Sequence, residues 1–122
     1  MWFKSNDKRT DKRIVGDDKE RLAENYLLIK GFRLIERNFL CRGGEIDLIM
    51  QDQDYLVFIE VRYRKNTQFG GALTSITPHK QKKLRRAAEF YLLKNFNNPP
   101  PCRFDAIGIE SNDRLEWIKN AF

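Results

Sequence analysis

The spacing of apolar residues predicts a helix near the start of the chain. Leucine, alanine and tyrosine side chains recur at helical intervals over residues 22–27. Asp17 or Asp18 is suited to cap this helix, because acidic side chains favour the positive end of the helix dipole. Residues 1–16 are polar and mixed in charge. We therefore expect a mobile tail there and a single domain over residues 17–122.

Three strands are predicted to follow the helix. Phe32–Phe39 is a strand candidate, and Glu45–Met50 alternates apolar and polar residues as a half-buried strand does. Tyr55–Val61 is apolar on both faces, which is typical of a central strand. Gln51–Asp54 predicts a four-residue hairpin turn between the second and third strands. Arg62–Gly71 then predicts a basic loop.

The second half of the chain predicts one helix and two closing strands. Thr77 followed by Pro78 is a strong helix start, and the helix is expected to end near Phe96. Arg103–Ile109 and Leu115–Ile118 are the strand candidates. The predicted fold class is α/β, with a mixed sheet flanked by helices in the order α-β-β-β-α-β-β.

Composition and charge narrow the range of functions. The chain has 122 residues, of which 41% are hydrophobic, and is long enough to bury a core. Its 23 Lys and Arg against 17 Asp and Glu give a net charge of +6. A surface of that sign attracts polyanions, most commonly nucleic acid. The alternative is a basic protein without such a partner.

Cysteine and histidine are too few for a structural zinc site. Cys41 and Cys102 lie far apart, and His79 is the single histidine.

The start of the chain lacks the apolar segment of a signal peptide, and no apolar run approaches the ~18 residues that a membrane span requires. We therefore expect a cytoplasmic protein with reduced cysteines and no membrane contact. Neither a nucleotide-binding loop nor a Ser/His or Cys/His nucleophile pair is present in the sequence.

Acidic residues of the second and third strands are predicted to converge. A four-residue turn over residues 51–54 would pair these strands so that Glu45 lies opposite Glu60. Period-two alternation would then place Asp47, Glu60 and Arg62 on one face, with Glu45 beside them. A slip of one residue would destroy this arrangement, so the prediction depends on the length of the turn.

Carboxylates held close together near a core repel each other and lose hydration, and a hard divalent cation relieves both costs. Two carboxylates, waters and a phosphate oxygen make an ordinary Mg²⁺ site, which can promote attack on a phosphodiester. The alternative is that Glu45 and Glu60 lie at exposed strand ends and pair with Arg62 or Arg64.

Segments 45–49 and 58–62 resemble the D…ExK core of the PD-(D/E)xK nuclease superfamily. Across residues 15–119 the chain more closely resembles the YraN-like family of small bacterial proteins related to that superfamily. The supporting residues are Glu24, Asn38, Gly44–Ile49, Phe58–Val61, Lys80–Ala88 and Arg103–Asp105.

The resemblance implies a restriction-endonuclease-like fold and a divalent-metal-dependent endonuclease acting on DNA. It implies Mg²⁺ or Mn²⁺ as the cofactor, with Glu24, Asp47 and Glu60 as metal ligands. For Glu24, which matches an acid in the first helix of many resolvase-like proteins, the alternative is a solvated helix glutamate. Such relatives often act as dimers, which leaves a homodimer open here.

Two residues depart from the superfamily pattern. Ile46 replaces a proline that is not a ligand. Arg62 occupies the lysine position, and arginine binds phosphate but stays protonated, so it cannot act as a general base. Lys80 is predicted to face the sheet from its helix and is the candidate substitute, with an ordinary exposed lysine as the alternative. The predicted catalytic residues are therefore Asp47, Glu60, Arg62 and Lys80.

Two basic segments, Arg62–Lys65 and His79–Arg86, predict a nucleic-acid surface. The resemblance implies that the nucleic acid is DNA rather than RNA. The proposed contacts are Arg62, Tyr63, Arg64, Lys65, Lys80, Lys82, Lys83, Arg85 and Arg86. Tyr63 is available for base stacking. Charged helix faces are often merely solvated, so two other functions stay open. One is a noncatalytic nucleic-acid-binding module with a degenerate nuclease site, and the other is a protein-interaction domain with a basic face.

Overall fold

A computed structural model describes residues 10–65, 73 and 76–122. The elements, in chain order, are α1 (Asp11–Ile29), β1 (Arg33–Cys41), β2 (Gly44–Asp52), β3 (Tyr55–Arg64), α2 (Pro78–Asn95), β4 (Cys102–Glu110) and β5 (Leu115–Ile118). The five strands form one sheet in the order β1-β2-β3-β4-β5. All neighbouring strands are antiparallel except β3 and β4, which are parallel because α2 crosses between them. The predicted α/β fold class and element order are confirmed.

The two helices cover opposite faces of the sheet, so the central strands are buried on both sides. The α1 face holds Ala23, Leu27, Phe32, Leu48, Met50, Val57, Ile59, Ile107 and Ile109. The α2 face holds Phe39, Ile46, Ile49, Leu56, Phe58, Leu84, Ala87, Ala88 and Tyr91. Burial of each large side chain contributes roughly 1.5–3 kcal/mol, which anchors both helices and fixes β2 and β3 between them.

The first helix begins earlier than predicted. Thr10, not Asp17 or Asp18, is the N-cap, and its hydroxyl accepts a hydrogen bond from the Arg13 N–H at 3.1 Å. Residues 11–16 therefore form the first turns of α1. The apolar pattern missed them because Ile14 and Val15 are the only apolar side chains between Thr10 and Leu22. The rest of the predicted tail, residues 1–9, lies outside the described residues.

The hairpin between β2 and β3 is tighter than predicted. Asp52 pairs with Tyr55, which leaves a two-residue turn in which Gln53 has a φ of 54°. The predicted four-residue turn and its pairing of Glu45 with Glu60 are therefore wrong. The register differs from the prediction by two positions. Because a shift of two leaves each side chain on its original face, the predicted convergence of acidic residues does not depend on this error.

β3 ends later than predicted, whereas α2 begins where it was predicted to begin. β3 continues through Arg64, so the first residues of the predicted basic loop are strand residues. Residues 66–71 of that loop lie outside the described residues. The predicted start of α2 is confirmed, because the Thr77 hydroxyl accepts from the Lys80 N–H at 3.2 Å and Pro78 opens the helix. None of the described helices is long and apolar enough to cross a membrane.

Candidate metal and nucleic-acid site

The site is built where β2 and β3 part. Their backbone pairing runs from Asp52 and Tyr55 to Leu48 and Ile59. One position further, a carboxylate oxygen of Asp47 accepts a hydrogen bond from the Val61 N–H at 2.8 Å. The N–H of Val61 in β3 therefore bonds to a side chain of β2 instead of to its backbone. This bond holds Asp47 in the gap between the two strands.

A change of facing in β2 accounts for the position of Asp47. Strict alternation would put Ile46 and Leu48 on the same face, yet Ile46 packs on the α2 side and Leu48 on the α1 side. The neighbouring strand is also irregular there, since Asn38 of β1 has a φ of 51°. Asp47 lies at this change of facing, which we call the crossover in β2, and groups from both faces of the sheet can approach it there.

Glu60 is the buried partner of Asp47. Its side chain hydrogen-bonds with Asp47 and lies 3.4 Å from Nη1 of Arg62, and the residue is only 9% exposed. Burial, the negative charge of Asp47 and the hydrogen bond between the two carboxyls raise the pKa of Glu60 to about 9. The positive charges of Arg62 and Lys80 oppose that rise. Asp47 thus contacts Glu60 and Glu60 contacts Arg62, and the charge of Lys80 acts on Glu60 from α2.

Further acids approach Asp47 from α1 and from the start of β2. Burial and the charges of Asp47, Asp17 and Glu45 raise the pKa of Glu20 to about 8. Burial and Asp47 also raise the pKa of Glu45. Glu20 is not among the site residues predicted from the sequence. It lies four residues before Glu24 on the same helix face, which was the available signal.

Glu24 is engaged elsewhere. Its two carboxylate oxygens accept hydrogen bonds from Nε and Nη2 of Arg37 at 2.6 and 2.9 Å, and Glu24 is 4% exposed. This forked pair ties α1 to β1 and uses both oxygens that a metal ion would need. The structure therefore places Glu24 in an ion pair and Glu20 in the electrostatic field of Asp47.

The donor chemistry of the carboxyl pair fits a hard divalent cation. Asp47 and Glu60 offer oxygen donors in direct contact, which Mg²⁺ and Mn²⁺ prefer, and Mg²⁺ sites commonly use one or two carboxylates with waters. Within the described ranges, no three Asp, Glu, His or Cys side chains are arranged to hold a metal ion together. The residues present therefore supply a two-carboxylate site that solvent or a phosphate would complete.

The basic residues of α2 form an exposed face. Lys82, Lys83, Arg85 and Arg86 are all exposed, whereas Lys80 is half-buried beside Glu60. The Arg85 guanidinium lies 5.2 Å from the ring centre of Phe104, which restrains it more than the flexible lysines.

The basic residues at the end of β3 differ in their accessibility. Arg64 and Lys65 are exposed and Arg62 is half-buried. Tyr63 was predicted to stack on bases. Its ring already carries the Lys19 ammonium at 4.7 Å, so Lys19 covers part of the surface offered to a base.

Asp105 has a structural role. It is fully buried and accepts hydrogen bonds from the side chains of Arg103 and Trp117 and from the Asn120 N–H, at 2.9–3.2 Å. Arg103 also bonds to Asp52 at 2.8 Å. This satisfied network joins β4 and β5 to the β2–β3 hairpin, so it stabilises the scaffold on which the carboxyl pair stands.

Comparison with known proteins places the site in a shared segment. A family model described as "Uncharacterised protein family UPF0102" matches residues 19–109. A UPF0102 protein of Herminiimonas arsenicoxydans is 52% identical over 113 residues, which cover 93% of this chain and 90% of that protein. A UPF0102 protein of Nitrosomonas eutropha is 55% identical over 107 residues, 88% of this chain and 91% of that protein. The residues of the carboxyl site, from Glu20 to Lys80, lie within the matched range.

Proposed function

The chain belongs to the UPF0102 family, which confirms the YraN-like resemblance, and we propose that it is a cytoplasmic divalent-metal-dependent endonuclease acting on DNA phosphodiester bonds. The observation that carries the proposal is the contact between Asp47 and Glu60, which lies beside Arg62 and Lys80. Membership of the PD-(D/E)xK superfamily is part of the same proposal. It is supported by the spacing of Asp47 and of Glu60-Val61-Arg62 on adjacent strands.

The chemistry at this site divides between the ion and the side chains. A bound Mg²⁺ or Mn²⁺ would activate water and neutralise charge on the phosphate. Asp47 and Glu60 would hold the cation, and the Val61 N–H fixes the carboxylate of Asp47. Arg62 stays protonated, so it stabilises the charge that develops on the phosphate and does not accept a proton. Lys80 supplies a second positive charge from α2.

We assign the α1 acid of this site to Glu20 in preference to Glu24. Glu24 holds Arg37 with both oxygens, whereas the charge of Asp47 acts directly on Glu20. Glu20 approaches from the α1 side of the crossover at Asp47. A Glu24→Gln variant should therefore lose fold stability and leave metal affinity unchanged, and Glu20→Gln should weaken metal binding.

Metal binding tests the carboxyl site independently of catalysis. Mn²⁺ should raise the melting temperature of the parent protein by mass action, since ligand binding to the folded state alone stabilises it by ~2.7 kcal/mol at 100 times Kd. The Asp47→Asn/Glu60→Gln double variant should lose this rise. Asp54→Asn/Glu116→Gln, which alters two exposed acids, is the matched control and should retain it. A rise that persists in the double variant would assign the ion to another site.

Salt dependence tests the DNA surface of α2. Replacing Lys82 and Lys83 with Ser should flatten the slope of log affinity for duplex DNA against log salt by about 1.8, since each lost phosphate contact removes roughly 0.9. Lys94→Ser, in the last turn of the same helix, should leave the slope unchanged. Fluorescence anisotropy in EDTA measures both. An equal slope for parent and double variant would mean that this face is only solvated.

One observation favours the noncatalytic module as the second candidate. Arg62 stands where the superfamily has lysine, and it contacts Glu60 at 3.4 Å. A site that had lost catalysis could keep this ion pair and still bind DNA through α2. The two candidates differ in cleavage and share DNA binding, so only a cleavage measurement separates them.

A further inference from the structure

A groove runs between the first turns of α1 and the end of β3 and opens beside the carboxyl site. It encloses about 800 Å³. One wall is formed by Lys12, Val15, Gly16 and Lys19 of α1. The other is formed by residues 61–64 of β3, by Lys65 just after that strand and by Lys80 of α2. The α1 wall consists largely of residues that the sequence had suggested were a tail.

The groove combines positive charge with an apolar floor. Among the described residues that line it, six are basic (Lys12, Lys19, Arg62, Arg64, Lys65 and Lys80) and two, Asp11 and Glu20, are acidic. Between them lie the apolar surfaces of Val15, Val61 and Tyr63. Single-stranded nucleic acid binds where cations follow its phosphate backbone and apolar or aromatic side chains lie beside them. The second feature is needed because every exposed base presents an apolar face.

The dimensions of the groove favour one strand over two. Its volume of about 800 Å³ is that of a pocket for a small ligand. The major groove of duplex DNA alone is about 12 Å wide, so an intact duplex cannot enter. A single strand with its phosphates on the lysines and its bases on the apolar floor can. Arg62 and Lys80 belong both to the groove and to the surroundings of Glu60, so a strand lying there would lead to the carboxyl pair.

We propose that this groove binds an unpaired DNA strand, while the exposed basic face of α2 binds duplex. The substrate class is then DNA with a single-stranded branch or end next to a duplex. This assignment rests on the proposed function, because it names the DNA that reaches the carboxyl site. It does not require cleavage, and it is therefore tested by binding alone.

The first test removes charge from one surface at a time. Binding of a fluorescent 12-nucleotide oligodeoxythymidine and of a blunt 20-base-pair duplex is measured by anisotropy in EDTA across a salt series. Lys12→Ser/Lys19→Ser should flatten the single-strand slope of log affinity against log salt by about 1.4, at roughly 0.7 per contact, and leave the duplex slope unchanged. Lys82→Ser/Lys83→Ser removes the same charge from α2. It should flatten the duplex slope and leave the single-strand slope unchanged.

The second test uses Gly16 and avoids the ion pair between Lys19 and Asp113. A Cβ at Gly16 would meet no atom within 4 Å, so a side chain there extends into the groove without a clash. Gly16→Ala should melt at or above the parent temperature, because alanine favours the helix. Gly16→Glu, whose folding is checked by its melting temperature, should reduce single-strand affinity at least tenfold while duplex affinity changes less than twofold.

Selective loss of single-strand binding in both wall variants supports the assignment. If the wall variants lost equal affinity for the single strand and the duplex, the assignment of the groove to an unpaired strand would be overturned. The proposal that the protein binds DNA would still stand. A parent protein that bound neither probe in a salt-sensitive manner would overturn this assignment together with the proposed function.

Discussion

At pH 8, Glu60→Gln should be more stable than the metal-free parent by about 4 kcal/mol, because the parent loses about 1.4 kcal/mol for each pH unit above pH 5. The pKa of Glu60 is raised from 4.5 to about 9 in the folded protein, chiefly by burial and then by the charge of Asp47. A group with a raised folded pKa contributes its full stability below pH 4.5 and loses it as pH rises toward 9. Glutamine cannot ionise, and its amide can still donate to Asp47. The stability of the variant should therefore escape this loss.

Urea unfolding between pH 5 and pH 9 measures the effect. The two proteins should be similar near pH 5 and diverge steadily above it. Glu116→Gln changes an exposed glutamate of β5 and should follow the parent at every pH. Mn²⁺ should narrow the difference at pH 8 by stabilising the parent alone. A difference between Glu60→Gln and parent that does not change with pH would contradict the buried pairing of Glu60 with Asp47.

Arg62→Ala should slow metal-dependent DNA cleavage by about 30-fold to 1,000-fold, equivalent to about 2–4 kcal/mol of transition-state stabilisation. The guanidinium is half-buried beside Glu60, and water cannot replace a fixed cation at the phosphate. Arg62→Lys should retain or increase the rate, because lysine preserves the charge and restores the usual residue of the superfamily. Lys80→Ala should also slow the reaction if α2 supplies a second cation.

Single-turnover rates with Mg²⁺ at saturating protein separate the chemical step from DNA binding. Lys94→Ser, at the far end of α2, is the control and should keep the parent rate. If Arg62→Ala cut as fast as the parent, Arg62 would serve only as the ion-pair partner of Glu60. If Arg62→Lys were as slow as Arg62→Ala, the forked geometry of arginine would be essential, and charge alone would be insufficient.

The fold was predictable because its signals are local and redundant. The apolar run of β3 and the Thr77-Pro78 helix start depend on few neighbours, and both are found as predicted. The hairpin turn depended on counting polar residues, which cannot distinguish a loop from paired strand ends such as Asp52 and Tyr55. Convergence of Asp47 with Glu60 survived that error because the register shifted by an even number of positions.

Other features of the site depend on tertiary structure that the sequence does not reveal. The crossover that opens Asp47 to both faces coincides with a positive φ at Asn38, in a different strand. The choice of Glu20 over Glu24 depends on Arg37, which reaches Glu24 from β1. Spacing along α1 could not separate these two glutamates, because they share a helix face. Likewise, the α1 wall of the groove required the early helix start at Thr10.

Cleavage by the parent protein, Asp47→Asn and Arg62→Lys, with Mg²⁺ or Mn²⁺ and on duplex, branched and single-stranded DNA, tests the endonuclease proposal most directly. We predict that the parent cuts at least one substrate, with branched DNA the best, that EDTA abolishes cleavage, and that Asp47→Asn binds DNA without cutting it. If neither the parent nor Arg62→Lys cut any of the three substrates while both still bound DNA, the endonuclease proposal would be contradicted and the protein would be a noncatalytic DNA-binding module.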